Sequence, residues 1–282
     1  GAVKYRVFRK IKGGSWAKLA VTEKTNFIDS TAPSGKTLIY TVRCIDESEE
    51  TYLSYYDAKG VGTYYVASPR ISSIVNCNNG SDISWAKVNG ASIYRVFVMN
   101  EDKKWKKLAD TKETNYLHTD VKSNKTYTYT VRAMDSSKQY ISSYDPQGVS
   151  NPFFSVPQLE GAANTYSGVK VTWKKVTGAP AYRVYRKTGS SSWEIVKDST
   201  TSLSFIDKNV KSSTKYTYTV RVLNADKKKL LSSYDAKGIS SVFYKAPEIK
   251  STNNIENAVE ITFNKVSGVP KYAVFVVKDN AW

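Results

Sequence analysis

The chain has 282 residues, with 42 lysines and arginines against 25 aspartates and glutamates, 21 tyrosines, two cysteines and one histidine. That length is too great for one small domain and suits two or three. No run of about 18 apolar residues exists, which argues against a membrane-spanning helix, and two cysteines cannot make a disulfide framework.

The net charge of +17 permits nucleic acid, anionic polymers or acidic cell surfaces as partners. The lysines are spread through every segment, however. The densest clusters are KKWKK (103–107) and KKK (227–229), and the charge reads as a solvating surface.

The chain repeats itself. Tyr5, Tyr94, Tyr182 and Tyr272, each opening a Y-x-V-[FY] motif, are spaced by 89, 88 and 90 residues. Trp16, Trp105 and Trp193, then Tyr40, Tyr129 and Tyr218, then Pro69, Pro157 and Pro247, keep the same period. Such a period fixes the architecture before any single element does. Four copies follow, at 1–68, 69–156, 157–246 and 247–282.

In chain order, the first copy opens on a strand at Tyr5 and has a second in YTVRC (40–44), where Cys44 aligns with Ala133 and Val222 and reads as a small core residue. Gly1 aligns with Gly90, Gly178 and Gly268, so this copy starts after its first two strands. In the second copy Cys77 lies in the turn-like NCNNG (76–80) and is not expected to pair with Cys44. The third copy shows the pattern in full. Val169, Val171 and Trp173 alternate with Lys170, Thr172 and Lys174; Tyr182 and Val184 alternate with Arg183 and Tyr185; Tyr216, Tyr218, Val220 and Val222 alternate with Thr217, Thr219 and Arg221. Period-two alternation broken by Gly, Ser, Asp and Lys turns marks half-buried antiparallel strands. About seven strands in each copy imply an all-β, two-sheet sandwich. The fourth copy runs through three strands and stops at Trp282. Short joints, ASP (67–69), SVP (155–157) and KAP (245–247), imply an extended, semi-rigid array.

Trp173, the Tyr182-x-Val184 pair and KYTYTVRV (215–222) together resemble a fibronectin type III domain, an immunoglobulin-like sandwich. The resemblance covers essentially the whole chain. In that family a tryptophan lies on strand B (here Trp85 and Trp173, with Phe263 in the fourth copy), and a tyrosine corner opens strand F (Tyr127 and Tyr216). Leu38 takes the corner position in the first copy, so the corner bond should be missing there. The lysine-, tyrosine- and threonine-rich composition is similar to repeats of Gram-positive bacterial surface proteins.

Catalytic chemistry finds little support. The only histidine, His118, aligns with Asp29 and Asp207 and is expected to be a partly exposed strand-end residue rather than part of a Ser-His-Asp unit. No zinc spacing, calcium loop or phosphate loop is present, and no cofactor or metal is expected. The acidic DESEE (46–50) reads as a solvated loop tip.

Binding surfaces remain. The outward residues of strand C are Arg95 and Phe97 in the second copy and Arg183 and Tyr185 in the third; strand F, beside it, presents Arg132 and Arg221. With Trp105 and Trp193 these form the candidate binding sites. Arginine beside aromatics suits protein interfaces, sugar-ring stacking or anionic groups; equally, the arginine stems could pack over the rings and shield them. The resemblance implies two roles: an extracellular adhesin whose repeats bind a host protein or glycoprotein, such as a mucin or an immunoglobulin, or a spacer that presents a separate enzymatic or glycan-binding domain. Binding of an anionic polymer or of nucleic acid ranks third; for want of a DNA- or RNA-reading motif nucleic acid is not expected as the partner, nor is membrane insertion. Strand exchange between chains through the partial end copies is an alternative to the chain being an excerpt.

One motif recurs beside these residues: LSYYDAKGV (53–61), ISSYDPQGV (141–149) and LSSYDAKGI (231–239). It sits under loop tips that vary from copy to copy. A constant stem under a variable tip reads as turn chemistry and not as a serine–tyrosine–aspartate site.

Overall fold

The computed structural model describes residues 4–276; the positions of Gly1 and Trp282 lie outside the described residues. No helix occurs among them. The chain divides into two compact units, one of Gly1–Val75, Ser81–His118 and Thr126–Asn151, the other of Asn76–Gly80, Thr119–Lys125 and Pro152–Trp282.

The first unit begins with β1 (Lys4–Ile11), β2 (Ala17–Thr22), β3 (Lys36–Ile45) and β4 (Val61–Tyr65), which form one antiparallel sheet in the order β2-β1-β3-β4. Next come β5 (Ile71–Cys77), β6 (Gly80–Trp85), β7 (Ile93–Met99), β8 (Trp105–Thr111), β9 (Asn115–His118), β10 (Lys125–Met134) and β11 (Val149–Phe153). These seven make two sheets, β5-β6-β9 and β11-β10-β7-β8. Ile83 and Trp85 from one sheet and Tyr94, Val96, Tyr129 and Val131 from the other are buried in a common core.

The second unit repeats this plan with β12 (Leu159–Thr165), β13 (Gly168–Trp173), β14 (Ala181–Lys187), β15 (Glu194–Thr200), β16 (Ser204–Asp207), β17 (Thr214–Leu223) and β18 (Ile239–Phe243). Its sheets are β12-β13-β16 and β15-β14-β17-β18. Val169, Val171 and Trp173 face Tyr182, Val184, Tyr218 and Val220, the inner residues of the period-two pattern. A three-stranded sheet against a four-stranded one, with a hydrophobic core between, is a fibronectin type III-like sandwich, and the chain is a tandem series of them. The hairpin β19 (Ile249–Ile255) and β20 (Ala258–Phe263) follows. Residues 271–276 form no strand, so the third strand expected there is not made among the described residues.

The first copy shows what the second sheet contributes. In the complete copies β9 pairs with β6 and β16 with β13. The aligned segment Asn26–Asp29 has no such neighbour among the described residues and forms no strand; Ile28 is 87% exposed. A cavity of about 620 Å³ opens over the inner face of its sheet, lined by Tyr5, Val7, Phe27, Tyr40 and Val42.

Three smaller expectations resolve here. Cys44, half-buried on β3, and Cys77, ending β5, form no disulfide with each other. The Tyr216 hydroxyl accepts a bond from the Lys211 backbone N–H at 2.9 Å, the tyrosine corner of the third copy, whereas Leu38 is wholly buried and offers no hydroxyl. His118 corrects the reading from sequence: it is 5% exposed, not partly exposed, with Nδ1 3.0 Å from the Tyr129 hydroxyl and its ring edge-on to Tyr127 and Tyr129. Asp207 at the aligned position of the third copy is likewise buried, with Arg186 and Tyr218 as its partners.

Those partners form a network. Arg186 Nη1 donates to Asp207 Oδ2 at 2.7 Å, Tyr218 donates to the same oxygen at 3.0 Å, and Arg186 also grips Glu194. In the first copy Arg9 and Tyr40 each donate to Asp29 Oδ2 at 2.7 Å. In the second copy the arginine position holds Val98 and the acid position His118, so the charged partners are replaced together.

Candidate functional site

The outer face of each four-stranded sheet carries the candidate residues. Strand register puts Arg6 opposite Arg43, Arg95 opposite Arg132, and Arg183 opposite Arg221. Like charges directly opposite repel, and each pair relieves this differently on its two sides.

The first arginine of each pair is held by neighbouring acids or carbonyls, and Arg6 and Arg95 also donate to the Tyr52 and Tyr140 hydroxyls at 2.9 and 2.8 Å. Arg95 makes a two-pronged bond to Asp110, Nε to Oδ1 at 2.6 Å and Nη2 to Oδ2 at 2.9 Å. Those bonds, with Lys107, hold the Asp110 carboxyl far below the usual carboxylate range and push the Arg95 guanidinium up. Arg183 pairs with Asp198 at 2.7 Å, and Arg6 donates to the Glu49 carbonyl at 2.7 Å.

The second arginine builds a cup. In the second copy Phe97, Trp105, Thr130, Arg132, Tyr140 and Tyr144 line a depression of about 200 Å³. In the third, Tyr185, Trp193, Thr219, Arg221 and Tyr234 line one of about 190 Å³. The first copy has its own, of about 180 Å³, from Phe8, Trp16, Thr41, Arg43, Tyr52 and Tyr56. The candidate residues therefore come together only in part: Phe97, Trp105 and Arg132, and likewise Tyr185, Trp193 and Arg221, share a cup, while Arg95 and Arg183 stand outside it.

The far wall of each cup comes from the recurring motif. Its tyrosine meets the tryptophan edge to face, with ring centroids 6.4 Å apart for Trp16–Tyr56 and Trp105–Tyr144 and 6.2 Å for Trp193–Tyr234. The same tyrosines lie 5.5–5.8 Å from the guanidinium carbons of Arg221, Arg43 and Arg132. Tyr52 and Tyr140 add a closer plate, 3.6 and 4.0 Å from Arg43 and Arg132; the third copy has Leu230 there. These tyrosines were not among the sequence candidates. Their signal was present, since the tyrosine of the motif recurs with the same period as the tryptophan it touches.

Each other member of the motif has a backbone task. The Oγ of Ser54, Ser142 and Ser232 accepts from the amide of Cys44, Ala133 and Val222, each at 2.9 Å. Arg43, Arg132 and Arg221 donate Nε to the carbonyls of Ser54, Ser142 and Ser232 at 2.7–3.0 Å. Asp57, Asp145 and Asp235 accept from the amide two residues on, at 2.8–3.0 Å. The serine and aspartate are thus committed to the bend, as the constant stem suggested.

A second recurring device lies where consecutive copies meet inside each unit. In the first unit Ser34 Oγ donates to the Asn89 carbonyl and accepts from the Ala67 amide, both at 2.9 Å. In the second unit Ser123 and Ser213 donate to Thr177 O at 3.3 Å and Ser267 O at 3.0 Å. The very next residues in those turns, Gly90, Gly178 and Gly268, have positive φ and no room for a β-carbon.

No family model and no curated protein matches the chain. Among solved structures it is similar to the FN1-FN3 domains of chicken CNTN1, with 18% identity over 85% of this chain and 91% of that one and a TM-score of 0.33. That score leaves the fold assignment to the strand order within the sheets.

Proposed function

We propose that the chain is a non-enzymatic segment of an extracellular or cell-attached surface protein, of a Gram-positive bacterium, whose repeats at 1–68, 69–156, 157–246 and 247–282 act as an adhesive array for a host protein or glycoprotein. One observation carries this reading: three copies present the same outward cup of aromatic rings around a guanidinium. Similar sites repeated on one chain gain by multivalency, where avidity exceeds single-site affinity by about 10²–10⁴. The test is capture of mucin and immunoglobulin by the immobilised chain. Replacing Trp16, Trp105 and Trp193 together by Ala should abolish capture while the circular-dichroism spectrum stays that of a β-sandwich. Undiminished capture by this variant would refute the reading.

The spacer role has its own support in the Ser34, Ser123 and Ser213 bonds and the glycines that let neighbouring turns approach. A chain that captures nothing, yet resists proteolysis at 67–69, 155–157 and 245–247, would favour it.

A further inference from the structure

The cups restrict the ligand by size, charge and shape, and the inference below rests on the adhesive reading above. At about 180–200 Å³ each is smaller than the ~300–1,000 Å³ sites that hold drug-sized ligands. It is room for one ring and its substituents. The walls are aromatic faces and edges, with a threonine whose hydroxyl, in Thr130 and Thr219, is spent on the Asp145 and Asp235 carbonyls at 2.9 Å.

Charge is one-sided. Each cup has one guanidinium and no carboxylate among its lining residues. The Nε of Arg43, Arg132 and Arg221 is bonded to the motif's serine carbonyl, and in Arg221 so is Nη2. Among the described residues at least one terminal nitrogen of each remains without a hydrogen bond. The neighbouring arginine cannot compete for an anion as freely: Arg95 is already gripped by Asp110 and Arg183 by Asp198. Lys10 and Lys187, whose ammonium groups lie 4.4 and 4.5 Å from the Trp16 and Trp193 ring centroids, add positive charge beside two of the cups.

A ligand that fits must offer an apolar face for the rings and a single anionic group for the guanidinium. An extended peptide would need a groove with free backbone groups along it; here each copy offers a depression of only about 180–200 Å³. We infer that each cup takes one carboxylate-bearing sugar ring, of the uronic-acid or sialic-acid type. The C–H face of the sugar lies on the indole and phenol rings, and the carboxylate accepts from the free terminal nitrogens of Arg43, Arg132 or Arg221. A charge-assisted bond of this kind is the strong polar contact available, and the ring stacking supplies selectivity over plain polyanions.

The experiment titrates the full chain with a hexasaccharide of alternating glucuronic acid and N-acetylglucosamine, with sialyllactose, and with lactose and the carboxyl-reduced hexasaccharide, following indole N–H resonances and heat. Binding by either acidic sugar, at least about ten-fold weaker for its neutral counterpart (about 1.4 kcal/mol), supports the inference, and the two acidic probes distinguish the sources. Equal binding of acidic and neutral forms, equal competition by polyglutamate, or no binding of any sugar overturns it. Arg43, Arg132 and Arg221 changed together to Gln should remove the acidic preference; because these arginines also brace the bend, Phe8, Phe97 and Tyr185 changed together to Ala provide a second variant that breaks no side-chain hydrogen bond described here and should weaken both sugar forms. Mucin capture that is lost in the cup variants but survives sialidase and uronidase treatment refutes the sugar class and leaves the adhesive array standing, whereas capture indifferent to the cup variants refutes the array itself.

Discussion

A β-carbon added to Gly148 would lie 2.7 Å from Cη2 of Trp105. The same approach holds for Gly60 with Trp16 at 2.9 Å and Gly238 with Trp193 at 3.1 Å. The glycine that closes the recurring motif is therefore fixed by three demands: a φ of +66° at Gly148, the Tyr129 carbonyl oxygen, which an added β-carbon would meet at 2.5 Å, and the tryptophan of the neighbouring wall. The bend and the cup are one construction: the motif cannot vary without moving the indole.

Gly148→Ala should accordingly destabilise its sandwich by about 1–3 kcal/mol from backbone strain, with a further loss from displaced Trp105. Gly189→Ala is the control, since Gly189 also has positive φ, +53°, but nothing within 4 Å of an added β-carbon. Denaturant unfolding should show the larger loss for Gly148→Ala, and tryptophan fluorescence should shift only there. Equal losses would mean that the contacts with the Tyr129 carbonyl and the indole together contribute nothing.

The buried network offers a sharper comparison, because the second copy has already performed the substitution. Asp207→Ala takes the buried carboxylate from Tyr218 and from Arg186, 8% exposed, which keeps Glu194 and the Asn209 carbonyl, so the cost should stay below the about 3–5 kcal/mol of a buried charge left wholly unpaired. The double change Arg186→Val with Asp207→His reproduces Val98 and His118, which lie in a well-packed core with the Tyr129 hydroxyl as partner. The double variant should be more stable than Asp207→Ala, a non-additive result expected of residues in one network. Calorimetric unfolding of the wild type and the two variants decides it; a double variant no better than the single would show that the second copy relies on other compensation.

These cases mark how much the sequence could reveal. The repeat period and the inner residues, Val169, Val171, Trp173, Tyr182 and Val184, were legible because burial on one sheet face leaves a period-two trace. The position of Phe97, Trp105 and Arg132 on one face was legible for the same reason. The division of labour between Arg95 and Arg132 was not, because it depends on Asp110, which reaches Arg95 only through strand pairing between β7 and β8. Nor was the burial of His118: alignment showed an acid replaced by a histidine, but the loss of Arg at Val98, twenty residues away, is what makes the inward position tenable.

The ion pairs also predict a pH response. Bonds from Arg95 and Lys107, against a smaller opposing effect of burial, hold the folded Asp110 carboxyl well below its ordinary value of about 3.9. A carboxyl depressed on folding adds stability that is complete above its unfolded pKa and is lost as pH falls through the folded one. The melting temperature of the wild-type chain should therefore fall as pH drops below about 4, and Asp110→Asn should flatten part of that slope while lowering stability at neutral pH. An unchanged slope would remove Asp110 from the acid response.

At the alkaline end the sign reverses. Burial first, then the bond to Asp29, raises the Tyr40 hydroxyl to about 12. A phenol raised on folding contributes stability below its unfolded pKa of about 10, lost as pH rises from there toward about 12. Ultraviolet titration of the wild type against Tyr40→Phe should show one late-titrating phenol missing in the variant. If the difference spectrum places that phenol near 10, the Tyr40–Asp29 bond does not form in solution.

The Y-x-V-[FY] tyrosine that revealed the repeat has a role the period alone did not explain. The Tyr94 hydroxyl accepts from the Val88 amide at 2.8 Å, Tyr182 from Val176 at 3.0 Å and Tyr272 from Val266 at 2.7 Å. In the two complete copies the bond is buried and ties the turn after the tryptophan strand to the other sheet. Tyr182→Phe keeps the ring and leaves the Val176 N–H without its acceptor, which costs about 1–3 kcal/mol. Tyr166→Phe, at a hydroxyl on a 90% exposed residue, should cost nearly nothing. Hydrogen exchange at the Val176 amide should accelerate in the first variant only, since the second leaves that acceptor in place. Protection retained at Val176 in Tyr182→Phe would mean that another acceptor, and not the phenol, secures the turn.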